Sequence, residues 1–142
     1  MLVIGFFGVG KTTLAVNDAK MADLTDLGSP SLSLLQDTVA KYDVVFADPT
    51  WEHIVLQSGL PFIVVVPSLD RKEEFLLNYS NRYKNGTGGG GKGFRKLIGD
   101  NWDFLMGHLQ SLKSQATIVL EKGEFLSDVP LQDIYENLFR SK

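Results

Sequence analysis

An apolar opening, Leu2-Val3-Ile4, runs directly into Gly5-Phe6-Phe7-Gly8-Val9-Gly10-Lys11-Thr12, and this passage constrains the fold more than any other in the chain. Gly5, Gly10, Lys11 and Thr12 stand at the spacing of a phosphate loop, in the order strand, glycine turn, helix that the pattern requires. The chemistry accounts for the spacing. Gly5, Gly8 and Gly10 allow positive φ angles, so the backbone N–H groups can turn inward as a concave nest for phosphate oxygens at the start of a helix. Lys11 then reaches the β- and γ-phosphates, and the Thr12 hydroxyl ligates Mg²⁺. The bland alternative is a glycine-rich turn that merely joins a strand to a helix.

Composition narrows the field further. A chain of 142 residues has the size of one domain and can bury a full core. Hydrophobic and charged shares of 44% and 22% are those of an ordinary globular protein. With 14 basic and 17 acidic residues the net charge is -3, so no nucleic-acid partner is implied and nothing draws the chain to anionic lipid. There are no cysteines, which excludes disulfides and thiolate metal sites and fits a reducing compartment. The apolar opening is short, lacks a preceding basic region and is interrupted by glycine, so it does not read as a signal peptide or membrane span. The expectation is a cytoplasmic protein without a membrane partner.

The rest of the chain alternates strand and helix patterns. Residues 2–5 read as a buried strand and 11–20 as a helix, followed by a short strand at 21–24 and a turn-rich stretch at 25–30. Ser31 or Ser33 caps a helix ending near Lys41. Asp43-Val-Val-Phe-Ala-Asp48 is a second buried strand ending on an acid, the Walker B form. Asp48 therefore reads either as the carboxylate that holds the hydration shell of Mg²⁺ or as the cap of the next helix, since Asp-Pro-Thr also starts helices. That helix spans 50–58, with Trp51, Ile54, Val55 and Leu56 mostly in the core. Residues 61–67 form a third buried strand, 70–83 a helix, 94–113 a helical stretch that Gly99-Asp100 and Gly107 break, 116–121 a fourth strong strand, and 131–139 a last helix. His53 and His108 read as structural or solvated. Between the helices lies Asn85 to Gly93, a glycine tract with Lys84, Lys92, Arg95 and Lys96 around it and Arg71 and Arg82 on the preceding helix. It reads as a mobile lid at about 84–95 that brings positive charge onto phosphates, or more plainly as a linker. The fold expected is a single α/β domain over 1–142, a three-layer doubly wound parallel sheet with its site at the carboxyl ends of the strands.

Taken together, the glycine loop, the Asp43 to Asp48 strand, the arginine-bearing helix, the basic glycine tract and the final strand with its loop resemble the P-loop nucleoside and nucleotide monophosphate kinases. The resemblance covers nearly the whole chain as architecture, and the phosphate loop is its specific part. It implies a five-stranded parallel sheet with ATP and Mg²⁺ as cofactors. Gly5, Gly8, Val9, Gly10, Lys11, Thr12 and Thr13 would hold the nucleotide, and Thr12 and Asp48 the metal. Arg71, Arg82 and Arg95 would stabilise charge on the transferring group. Asp23 and Asp26 lie where the acceptor would bind, with Asp26 placed to orient or deprotonate a hydroxyl. Residues 122–127 correspond in place to the loop lining the adenine.

The implied activity is transfer of the γ-phosphoryl group of ATP to a small acceptor, a nucleotide or nucleoside. No arginine lies between Lys11 and Arg71 to grip an acceptor phosphate, so a sugar or other hydroxyl compound is also open. The competing class is a nucleotide-binding module with weak or no turnover and a regulatory or inhibitory role. A GTPase switch ranks last, because no Asn-Lys-x-Asp base-reading motif is present.

Overall fold

A computed structural model describes residues 1–86 and 91–137. The centre of the expected lid, 87–90, and the end of the last expected helix, from 138 onward, lie outside the described residues. Five strands form one all-parallel sheet: β1 (Leu2–Gly5), β2 (Met21–Asp23), β3 (Val44–Ala47), β4 (Phe62–Pro67) and β5 (Ala116–Leu120), in the spatial order β2-β3-β1-β4-β5. The apolar runs of β1, β3 and β4 are buried along their whole length, as a parallel strand covered on both faces demands. At the edge, β5 alternates partly buried and exposed residues until Leu120.

The helices are α1 (Lys11–Asn17), α2 (Leu24–Leu27), α3 (Leu32–Lys41), α4 (Glu52–Ser58), α5 (Lys72–Lys84), α6 (Lys92–Asp100), α7 (Trp102–Gln110) and α8 (Leu131–Tyr135). Local chemistry sets their ends. Ser31 caps α3 by accepting from the Leu34 amide at 3.2 Å, and Gly59 closes α4 at φ 70°. Helix α1 stops at Asn17, earlier than expected, because Asp18 turns extended and its carboxylate accepts from the Lys20 amide at 2.9 Å. The turn expected after β2 is instead begun by α2, whose cap is Asp23, accepting from the Thr25 amide at 3.1 Å. The helical stretch at 94–113 breaks at Asn101, between α6 and α7, not at Gly107. Trp51 and Val55 are buried and Ile54 is partly so, whereas Leu56 is half exposed.

The chain leaves β1 toward β2 in one direction across the sheet and runs from β2 through β3 and β4 to β5 in the other. With right-handed crossovers, α1 covers one face while α3 and α4 pack side by side on the other, an arrangement compatible with a three-layer parallel fold. The connections after β1 and β3 leave in opposite directions although the two strands are neighbours. That divergence opens a crevice at their carboxyl ends. Pairing of Ile4 with Ala47 sets Gly5 and Asp48 one step beyond it, at the lip of this crevice.

Candidate functional site

Three adjacent strands deliver the site. Beyond β1 the loop turns at Gly8 (φ 89°) and Gly10 (φ 105°), angles that a side chain would strain. Gly5 differs from the expectation: it ends β1 without a positive φ, and its need for glycine is one of space. A Cβ there would meet the Lys11 and Val9 side chains at 3.1 Å. Val9 is buried, its amide folding back onto the Phe6 carbonyl at 3.3 Å and its carbonyl accepting from the Leu126 amide at 2.9 Å. The turn after β5 is thereby pinned to the glycine loop. A second buttress comes from α5, where the Tyr79 hydroxyl donates to the Phe7 carbonyl at 2.6 Å.

Lys11 opens α1 and is only 8% exposed. Its Nζ donates to the carbonyls of Gly5 at 2.9 Å and Phe6 at 2.8 Å. Burial pulls its ammonium down from 10.5 to about 8, against the attraction of Asp23 and Asp48, with Arg82 adding to the fall. Asp23, at the end of β2, and Asp48, after β3, are both buried. Asp48 does what a cap does: Oδ1 accepts from the Thr50 amide at 2.8 Å and from the Thr50 hydroxyl, and Oδ2 accepts from the Thr25 hydroxyl at 2.8 Å. The cap reading is thus realised, and it leaves Oδ2 with spare acceptor capacity. Among the described residues no three His, Asp or Glu side chains are grouped to hold a metal.

Above these residues lies a cleft of about 940 Å³, ample for a nucleotide and a second small molecule. Gly8, Gly10, Lys11, Thr13, Asp23, Asp26, Asp48 and Arg82 all line it. The Asp26 carboxyl is raised above the usual range, first by desolvation and then by Asp23. The Thr12 backbone lies in α1, and its side chain is outside the described atoms.

Two expected members stand elsewhere. Arg71 is buried away from the cleft, held by Glu74 at 2.7 and 3.0 Å and donating to the carbonyls of Leu120, Glu121 and Glu124. Its guanidinium also lies about 5 Å from the rings of both Phe75 and Phe125. Hydrogen bonds and ring contacts on all sides make it the fastener of the turn after β5, not a lid residue. Arg95, on α6, packs over Tyr83 and does not line the cleft. His108 pairs with Glu52 at 2.7 Å and His53 is exposed, both outside the cleft.

Sequence reasoning overlooked Thr25, Tyr79 and the carboxamides of Asn78 and Asn81, and read Asn85 only as the start of the lid; all five line the cleft. A signal was present. Phe75, Asn78, Tyr79, Arg82 and Asn85 fall on one helical face at three- and four-residue spacing, and polar residues interleaved on a face that also packs inward mark a lined cavity. Comparison with protein-family models, with curated proteins and with solved structures gave no match.

Proposed function

We propose that this chain is a P-loop phosphotransferase that moves the γ-phosphoryl group of ATP-Mg²⁺ to a small acceptor, in the manner of the nucleoside and nucleotide kinases. The observation that carries the reading is Lys11. A buried ammonium is costly, and this one is held on the Gly5 and Phe6 carbonyls at the strand-divergence crevice, under the attraction of the buried carboxylates of Asp23 and Asp48. Anionic phosphate is the ligand such a group fits.

The donor set suits a magnesium nucleotide. Asp48, through its free acceptor capacity, and Thr12 would hold the metal with its waters. When bound, Mg²⁺ would neutralise phosphate charge during transfer. The chain's own part is positioning: the glycine loop cradles phosphate, Lys11 and Arg82 place positive charge at the transferring group, and Asp26 faces the acceptor. No transmembrane helix competes with this reading among the described residues.

Calorimetric titration with ATP-Mg²⁺, run beside a screen of nucleosides, nucleotides and sugars for phosphorylated products, tests it. Wild-type protein is expected to bind and turn over. If Lys11→Ala transferred phosphate as well as wild type, the assignment would be wrong. The alternative, a nucleotide-binding module without turnover, is favoured by one observation: with Arg71 and Arg95 elsewhere, Arg82 is the one arginine lining the cleft among the described residues. Tight ATP binding with no product across the panel would support it.

A further inference from the structure

We infer that β5 pairs with the β5 of a second copy of this chain, antiparallel about a two-fold axis at Thr117, so that two five-stranded sheets join into one. The sheet has two edges, β2 and β5, and they differ. At one, β2 is three residues long, follows Lys20 and ends on Asp23, features that blunt an edge. At the other, β5 runs for five residues as Ala-Thr-Ile-Val-Leu, with no charge, no proline and no break in its register from Ile63–Ala116 to Pro67–Leu120. Its β-branched Thr117, Ile118 and Val119 favour further pairing. Joining through β5 leaves only the two blunted β2 edges at the ends of the combined sheet, so assembly closes at a dimer.

Backbone direction makes the edge available. The Leu120 carbonyl accepts from the amide of Ser68, the residue after β4, at 3.0 Å. Leu120, Ile118 and Ala116 therefore turn their backbone groups toward β4, and the alternation of a strand turns those of Thr117 and Val119 outward. Both outward residues are exposed. With the axis at Thr117, this residue exchanges its N–H and C=O with its counterpart, a threonine pair that antiparallel strands favour, and Val119 falls opposite Gln115.

Charge complementarity then selects both the partner and the register. Lys113 and Glu121 are exposed and stand four residues to either side of Thr117. Among the described residues neither side chain makes an ion pair or hydrogen bond within its own chain. Pairing about Thr117 sets Lys113 of each copy against Glu121 of the other. Lys113 precedes the strand, and its four-carbon stem supplies the reach. Moving the axis to Ala116 or Ile118 breaks both pairs, and a parallel arrangement brings like charges together. None of the residues from 113 to 121 lines the cleft, so neither the pairing nor its test depends on what the cleft binds.

Five residues a side bury little surface, so the dimer is weak, with a Kd on the order of 100 μM. Sedimentation velocity of the full chain, run from about 5 to about 500 μM at low salt, should show monomer passing to dimer and nothing larger. Thr117→Lys sets like charges face to face on the axis and should abolish the dimer over that range. Lys113→Glu and Glu121→Lys should each raise Kd about 10-fold, and the two together should return it to within about threefold of wild type. Thermal melting at about 5 μM, where every variant is monomeric, establishes that each is folded. A wild-type chain still monomeric at the highest concentration, species beyond the dimer, association indifferent to Thr117→Lys, or a double variant no tighter than the single ones would each overturn the inference.

Discussion

The phenol of Tyr79 on α5 donates to the carbonyl of Phe7 in the glycine loop, and its ring stands 2.9 Å from where a Cβ on Gly8 would be. One side chain thus holds the loop at two adjacent residues. Burial pushes the phenol's pKa up, so it remains a donor throughout the working pH range. Tyr79→Phe leaves the Phe7 carbonyl without that donor and should cost about 1–2 kcal/mol in denaturant unfolding. Gly8→Ala combines positive φ with a ring that cannot swing away while its hydroxyl is anchored. It should cost at least about 2 kcal/mol and weaken ATP binding more than Tyr79→Phe does.

Arg71 fastens the turn after β5 through three carbonyls, and that turn reaches the glycine loop through the Leu126 amide and the Val9 carbonyl. Arg71→Ala should therefore destabilise by about 3 kcal/mol, because it strands several acceptors at once and leaves Glu74 without its partner. Arg71→Lys should recover less than half of this, since an ammonium cannot serve the carboxylate bidentately and the carbonyls together. The Glu74 carboxyl is held below its usual range chiefly by the hydrogen bond from Arg71. Its stabilising pairing is present above the unfolded carboxylate pKa and lost as pH falls through the lowered folded value. The difference between wild type and Arg71→Ala should accordingly shrink on acidification, as read by melting temperature.

Much of this architecture was legible because parallel strands buried on both faces advertise themselves as unbroken apolar runs: residues 2–5, 43–48 and 61–67 each contain an observed strand of this kind, and 116–121, rich in apolar and β-branched residues, contains the edge strand β5. The glycine loop and Asp48 were equally visible, since their spacing is local. What pattern could not give was the destination of long side chains. Arg71 and Arg82 are eleven residues apart on the same stretch of chain, yet one turns into the far end of β5 and the other into the cleft. That choice depends on carbonyls some fifty residues away, 49 to 53 in the case of Arg71, to which no local period points. The short helix α2 was hidden for a related reason: Asp23 caps it while also ending a strand, so the acid was read as part of the strand and for acceptor chemistry, not as a cap.

Lys11 carries a pH signature. Its ammonium is lowered from 10.5 to about 8 in the folded chain. Between those values the unfolded state binds the extra proton, so stability should rise with pH, by an amount on the order of 3 kcal/mol across the whole interval. Below about pH 8 the penalty is fully present. Lys11→Met should flatten this rise in melting temperature between pH 8 and pH 10. Since phosphate favours the ammonium form, ATP affinity should fall as pH climbs through about 8, with proton uptake on binding detectable by calorimetry in buffers of different ionisation enthalpy. A pH-independent affinity between 7 and 10 would contradict the role given to Lys11.

Asp48 separates a structural duty from a chemical one within a single residue. Its carboxylate caps the turn at Pro49–Trp51 through the Thr50 amide and ties β3 to α2 through the Thr25 hydroxyl. Asparagine is nearly as good a cap as aspartate, so Asp48→Asn should change stability by no more than about 1 kcal/mol, whereas Asp48→Ala should cost about 2 kcal/mol. Charge is what asparagine lacks. If Asp48 organises the hydration shell of Mg²⁺, Asp48→Asn should keep its melting temperature and lose turnover, and should need roughly 10-fold more Mg²⁺ for half-maximal rate. A magnesium titration of the phosphoryl-transfer rate, run on both variants and on wild type, reads this directly. An Asp48→Asn curve superimposed on wild type would leave Asp48 a cap alone.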